Sequence, residues 1–106
     1  MRNKLKKSTI TLTKFQSLVY KETSKIPKGR VATYKDIAIK IGRPKAYRAV
    51  ANALSKNPFL GEVPCHRVIK SDSAVGGFSR GVAMKIKLLR TEGLTIKSDT
   101  VIIRQK

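Results

Sequence analysis

The chemistry of this chain concentrates at Pro64-Cys65-His66-Arg67-Val68, where the only cysteine and the only histidine are neighbours and a guanidinium follows. A thiolate is the reactive form of cysteine, and nearby imidazole and guanidinium groups favour it. His66 is placed to take the thiol proton directly or through a water. A base of this kind needs an acid to orient it. The chain has six acidic residues, and Glu92, at the end of an apolar helical pattern, is one that packing can bring beneath His66. The plainer alternative is a buried structural cysteine beside a half-exposed histidine, since neighbours on a strand face opposite ways. Adjacency alone leaves both readings open.

A second constellation is cationic: Arg43, Lys45, Tyr47, Arg48 and Lys56 surround one candidate helix. Most charge runs are simply solvated faces. This helix also presents Ala46, Ala49 and Ala51, and small residues let a backbone sit close to a duplex while an arginine inserts among the bases. The stretch Val75-Gly76-Gly77-Phe78-Ser79-Arg80-Gly81 fits no phosphate-loop motif. Its interest lies in offering backbone N–H groups near a thiolate.

Composition narrows the classes. The 106 residues suit one compact domain, and 24 Lys+Arg against 6 Asp+Glu give a net charge of +18. Such a balance predicts a polyanionic partner, nucleic acid first and an acidic membrane surface second. No apolar run is long enough to span a bilayer, and the basic start leads into polar residues unlike a secretory signal. One cysteine excludes an internal disulfide, and one Cys with one His is a poor zinc set, so no metal is expected.

The positioning elements follow from periodicity. Residues 1–10 read as a basic arm. Helical spacing starts after Thr11 or Thr13 and runs through Phe15, Leu18 and Val19, with Pro27-Lys28-Gly29 as its stop. Val31-Ala32 suggests a small strand. Thr33 to Asp36 reads as a capping box opening a helix through Ile37, Ala38 and Ile41, closed by Gly42. Pro44 suits the first turn of the next helix, which carries Ala46, Ala49, Val50, Ala53 and Leu54 and stops at Asn57-Pro58. Gly42-Arg43-Pro44 thus joins a helix-turn-helix candidate. Val63, Val68 and Ile69 suit a buried extended segment, Ser71-Asp72-Ser73 a turn, and the glycines around Phe78 a loop or wing. A last helix would turn Met84, Leu88 and Leu89 inward and stop at Gly93, and Leu94 to Ile103 would close as a strand or tail. The ensemble predicts a small, mostly helical α/β domain of winged-helix type, with residues 11–106 as its body.

Taken together, these segments resemble the DNA-binding, active-site domain of the O6-alkylguanine-DNA alkyltransferases. The likeness rests on Phe15-Gln16, Ile26-Pro27-Lys28-Gly29-Arg30-Val31-Ala32-Thr33-Tyr34, Ile37-Ala38 and Ile41-Gly42-Arg43-Pro44-Lys45-Ala46-Tyr47-Arg48-Ala49-Val50. It continues through Asn57-Pro58, Val63-Pro64-Cys65-His66-Arg67-Val68-Ile69, Gly76-Gly77, Lys87-Leu88-Leu89 and Glu92-Gly93, roughly residues 13 to 94 in register.

The resemblance implies that Cys65 accepts an alkyl group from the O6 of guanine in double-stranded DNA and keeps it, one turnover per molecule. It implies a relay of Cys65, a water, His66 and Glu92, with Tyr34 donating a proton to the leaving guanine. Arg48 would be the finger that replaces a flipped nucleotide, on a helix in the minor groove bordered by Arg43, Lys45, Tyr47 and Ala49. Asn57 would be the hinge between that helix and the active-site segment, while the main chain around Val75, Gly76, Gly77, Phe78 and Ser79 would line the guanine pocket, with Ser79 facing the substrate oxygen. One-way transfer to a thiolate calls for no cofactor. The implied protein is a monomer that stays off membranes and works beside DNA, in the cytoplasm or, in a eukaryote, the nucleus.

Three residues depart from the family pattern. Phe78 stands where a tyrosine is frequent, Tyr47 where a small residue is usual, and Glu62 where an apolar one is common. The family usually carries a further N-terminal domain, and here about a dozen residues precede the match. Two rival readings remain: an alkyltransferase-like lesion sensor, a class that usually lacks the cysteine, and a basic winged-helix DNA-binding protein that needs neither Cys65 nor Glu92.

Overall fold

The computed structural model describes residues 12–59, 62–78 and 80–102, so the expected basic arm lies outside the described residues. Helix α1, Lys14–Thr23, starts at Thr13, whose hydroxyl accepts from the Gln16 N–H at 2.9 Å. The Gln16 side chain accepts in return from the Thr13 N–H at 3.0 Å. The helix ends before the predicted Pro27-Lys28-Gly29 stop. The hydroxyls of Thr23 and Ser24 donate back to the Val19 and Tyr20 carbonyls at 2.7 and 2.8 Å, a local bond that competes with helix continuation. Pro27 instead opens a separate turn, closed by the Arg30 N–H on its carbonyl at 3.1 Å.

Strand β1 is Ala32–Thr33, one residue later than the sequence pattern suggests. Helix α2, Tyr34–Lys40, begins at once, with Thr33 and Asp36 exchanging side-chain-to-backbone bonds of 2.9 Å in each direction. Ile41 caps it rather than extending it. Helix α3 is Tyr47–Ser55. Pro44 is therefore not in its first turn. It occupies the second position of a turn closed by the Ala46 N–H on the Arg43 carbonyl at 2.9 Å, where its fixed φ suits the geometry. Helix α3 buries Val50, Ala53 and Leu54 against α1 and α2, and the Tyr20 hydroxyl fastens the pair by donating to the Ala53 carbonyl at 2.7 Å.

Val68 and Ile69 form the buried strand expected of them, but the residues just before them are not extended. Cys65–Arg67 forms a 3-10 turn, opened by Pro64 and closed by the Arg67 N–H on the Pro64 carbonyl at 2.9 Å. Strand β2, Val68–Ile69, follows and pairs in parallel with β1, Ala32 opposite Val68 and Thr33 opposite Ile69. Successive strand residues face opposite ways. Val68 accordingly joins a core made by α1, α2, α3, Val63 and Cys65, while Ile69 joins a second core with Val75, Leu89, Ile96 and Val101.

The second core corrects two expectations. Helix α4, Val82–Thr91, buries Lys85 and Leu89, half-buries Leu88 and leaves Met84 exposed. A lysine takes the inward place because carbonyl groups meet its ammonium there. Leu94–Ile103 is not one strand: β3, Thr95–Lys97, and β4, Thr100–Ile102, form an antiparallel hairpin. Ser98 and Asp99, at φ 49° and 62°, supply its two-residue turn. The described part of the glycine-rich loop contains no wing strands. The hairpin instead braces the base of that loop, with the Val101 N–H on the Ser73 carbonyl and the Val75 N–H on the Asp99 carbonyl, both at 2.8 Å.

Candidate active site

Cys65 is buried and borders two cavities. The first, about 470 Å³, is lined by Cys65, Tyr34, Gly77 and Phe78, with Arg48, Ala51, Asn52, Leu54 and Ser55 contributed by α3. The other, about 370 Å³, reaches Cys65 and Phe78 from the side of His66, Arg67 and Glu92. Both sizes fall in the range of small-ligand sites. An open groove of about 680 Å³ continues the first cavity past Tyr34, Arg48 and Ala51 towards Tyr47, Lys70 and Gly76.

Glu92 caps α4 in a Schellman arrangement, the Leu94 N–H on the Leu89 carbonyl at 3.1 Å and the Gly93 N–H on the Arg90 carbonyl at 3.0 Å. Gly93 adopts the φ of +96° that this cap requires. The carboxylate so placed meets His66 Nε2 at 2.9 Å. Arg67 grips it with two bonds, Nε to Oε1 at 3.0 Å and Nη2 to Oε2 at 2.8 Å, and donates from Nη1 to the Ile26 carbonyl at 2.9 Å. These bonds pull the Glu92 pKa down to about 2, Arg67 contributing most and His66 adding to it against the opposing effect of burial. An ionised carboxylate only accepts, so Nε2 carries the hydrogen and Nδ1 is left with the free lone pair. The guanidinium two residues after the thiol is thus committed to Glu92. Among the described residues no hydrogen bond joins the imidazole to the thiol directly.

On the other side, Tyr34 opens α2 and faces the first cavity and the groove. Burial, and then the negative charge that Cys65 can carry, push its pKa above the ordinary phenol value. It therefore holds its proton at neutral pH. The loop comes very near it: a Cβ on Gly76, which sits at φ +76°, would lie 3.0 Å from the Tyr34 hydroxyl. Asn57 is buried and bridges the end of α3 to the cysteine segment. Its Nδ2 donates to the Val63 carbonyl at 3.2 Å, and its Oδ1 accepts from the Phe59 N–H at 2.8 Å.

Gly77 and Phe78 line the cysteine cavity and Gly76 the groove, but Val75 does not join them. Its side chain lies in the second core and its N–H is taken by Asp99, so it offers no free donor to a ligand. Ser79 lies outside the described residues. Arg43, Lys45, Tyr47, Arg48 and Ala49 are all exposed along the turn and the outer face of α3. Arg48 borders both the first cavity and the groove, Tyr47 the groove alone. Among the described residues no three His, Cys, Asp or Glu side chains group closely enough to hold a metal ion, and no helix is long and apolar enough to cross a membrane.

Sequence reasoning missed Lys85. It donates to the Val68 carbonyl at 2.7 Å and the Gly77 carbonyl at 3.1 Å, and its Nζ lies 5.7 Å from the centre of the Tyr34 ring. The available signal is its place three and four residues before Leu88 and Leu89, on the apolar stripe of α4.

A family model described as 6-O-methylguanine DNA methyltransferase, DNA binding domain, matches residues 14–94. The chain belongs to that family. Among similar methylated-DNA–protein-cysteine methyltransferases, one from Metallosphaera sedula is 51% identical over 82% of this chain and 54% of its own length. One from Methanosarcina barkeri is 48% identical over 76% of this chain and 51% of its own length. The chain thus spans about half the length of these methyltransferase relatives. The crystal structure of Mycobacterium tuberculosis OGT in complex with DNA superposes with a TM-score of 0.75 at 41% identity, covering 77% of this chain and 51% of that one. S. pombe Atl1, in complex with damaged DNA containing O6-carboxymethylguanine, gives a TM-score of 0.73 at 30% identity, covering 87% of this chain and 89% of Atl1. The winged-helix-like α/β architecture of the methyltransferase DNA-binding domain is therefore that of this chain.

Proposed function

We propose that the protein repairs alkylated guanine in double-stranded DNA by transferring the alkyl group from O6 to its own Cys65, once per molecule. The observation that carries this reading is the placement of Cys65 between two unlike walls. A protonated phenol stands in one cavity, and an imidazole oriented by an ionised carboxylate stands in the other.

His66 takes the thiol proton at Nδ1, through a bridging water, while Glu92 stabilises the imidazolium. The thiolate attacks the alkyl carbon, a carbon–sulfur bond forms, and the carbon–O6 bond breaks with its electron pair going to guanine. Tyr34 gives its proton to the departing base and recovers one as the pocket re-equilibrates. In sum the thiol proton ends on guanine and the alkyl group on sulfur, and no oxidant, metal or cofactor enters the balance.

The +18 charge supports contact with phosphates that is independent of sequence. The exposed α3 face, with Arg48 at the mouth of the cavity, suits a helix in the minor groove and a side chain that replaces the extruded nucleotide. O6-alkylated guanine pairs badly, which lowers the cost of extrusion. The protein acts as a monomer, in the compartment that holds the DNA.

The similarity to Atl1 over most of both chains favours a second reading, a sensor that binds the lesion without chemistry. Intact-protein and peptide mass spectrometry after incubation with a duplex carrying one O6-methylguanine decides between them. A stoichiometric gain of one methyl on the Cys65 peptide supports transfer. Binding with no gain supports the sensor, and no preference over normal duplex leaves a basic DNA-binding domain.

A further inference from the structure

Lys85 has no solvent exposure at all, a rare state for a lysine that no carboxylate partners among the described residues. Its two hydrogen-bond acceptors belong to two segments that border the first cavity, the cysteine segment and the glycine-rich loop. Val68 follows the turn that carries Cys65, and its N–H is bonded to the Cys65 carbonyl. Gly77 belongs to the glycine-rich loop, which lines the same cavity as Cys65. The ammonium therefore braces the cysteine segment against the loop. It also stands within cation–π distance of Tyr34.

We propose that Lys85 is a positioning residue of the transfer reaction: it ties the glycine-rich loop to the cysteine segment and holds a positive charge beside Tyr34 and Cys65, the two groups that become anionic during transfer. This rests on the alkyl-transfer reading. The carbonyl partners are neutral, so the charge is not cancelled before the reaction. A thiolate and a transient phenolate then form next to a cation that need not move, which is how a preorganised site stabilises developing charge. The ionisable groups that Lys85 meets are Tyr34 at the start of α2 and Cys65 in the 3-10 turn. Burial lowers the Lys85 pKa to about 8, while a negative charge on Cys65 acts to raise it. The cation is thus present at neutral pH and vanishes in mildly alkaline solution.

Lys85→Gln keeps an N–H donor for the carbonyls and removes the charge. The folded variant is expected to transfer methyl from an O6-methylguanine duplex about tenfold more slowly at pH 7, with its affinity for that duplex within about twofold of the parent. In the parent the rate falls as pH rises through about 8, and in Lys85→Gln that limb is missing. A brace without an electrostatic role would not remove it. Iodoacetamide alkylation of Cys65 at pH 7 needs no lesion, and it slows severalfold in the variant. A parent that takes no methyl from DNA but shows this slowing refutes the alkyl-transfer reading and keeps the charge effect. A folded Lys85→Gln with parental iodoacetamide and transfer rates overturns the proposal. The alkaline limb of the parent needs no variant, and its absence overturns the proposal even if Lys85→Gln fails to fold.

Discussion

The two sides of Cys65 hold their charges in opposite ways. Towards α4, the Glu92 carboxylate is gripped by two bonds from Arg67 and one from His66, so each partner's position is set by the others. Towards α2 and the loop, the buried ammonium of Lys85 meets only neutral carbonyls among the described residues, and the Tyr34 phenol faces open volume. The first side is a closed ionic cluster whose work is to keep one imidazole nitrogen available. The second is a cation with spare capacity, ready for negative charge that arrives with the reaction. In the proposed reaction a proton leaves the thiol on the first side, and negative charge develops on the second.

The largest break in this contrast removes the group between the sides. Cys65→Ser is expected to abolish the methyl gain in intact-mass analysis, because a hydroxyl does not ionise usefully at neutral pH, while lesion binding persists in a gel-shift assay. Next is Glu92→Gln, which dissolves the ionic cluster and leaves Lys85 in place. Single-turnover transfer should fall about a hundredfold, the usual scale for a lost acid–base function. Stability supplies an independent readout. The folded Glu92 pKa of about 2 lies below its ordinary 4.5, so its contribution is complete above that ordinary value and is lost as pH falls towards 2. Urea midpoints measured from pH 6 to pH 2 should decline less steeply in Glu92→Gln than in the parent, and equal slopes would remove Glu92 as the acid-sensitive anchor.

The contrast itself was only half legible in the sequence. With six acids in the chain, Glu92 at the end of an apolar helix stands out as a partner for His66, and the capping box at Thr33 announces itself through its Asp36. Such signals are local or rest on scarcity. The Arg67–Glu92 grip joins residues 25 apart and leaves no periodic trace. Lys85 is hidden for another reason: polarity patterning sends a lysine outward, and only the fold supplies the two carbonyls that let it turn in. The hairpin at 95–102 escapes because Ser98-Asp99 lacks the glycine that usually marks a left-handed turn. The resemblance assigns the main chain at Val75 to the pocket, yet its N–H is taken by the Asp99 carbonyl of the hairpin and its side chain joins the second core.

A smaller effect separates recognition from chemistry. Arg48 borders the first cavity and the groove but makes no bond to either charged side among the described residues. Arg48→Ala should slow methyl transfer from duplex about tenfold, or about 1.4 kcal/mol, a part of the few kcal/mol that unstacking costs when nothing replaces the extruded base. Transfer from a single-stranded oligonucleotide with the same lesion should be unchanged. Equal losses on both substrates would place Arg48 in the chemistry rather than in extrusion.

The smallest predicted effect tests how tightly the open side is built. Gly76 lies at φ +76°, where an alanine is strained, and its added Cβ would meet the Tyr34 hydroxyl at 3.0 Å and Lys70 Cγ at 3.3 Å. The lysine stem can move aside. Tyr34 cannot do so freely, because its ring packs against the first core and lies beside Lys85. Gly76→Ala should therefore cost about 1 kcal/mol of stability, visible as a lower urea midpoint, and slow transfer by a few fold through displacement of the phenol. Its acid-range stability slope should match the parent's, since nothing on the Glu92 side touches residue 76. A transfer defect accompanied by an altered acid slope would mean that the two sides of Cys65 are mechanically coupled, and the division of labour between them would not hold.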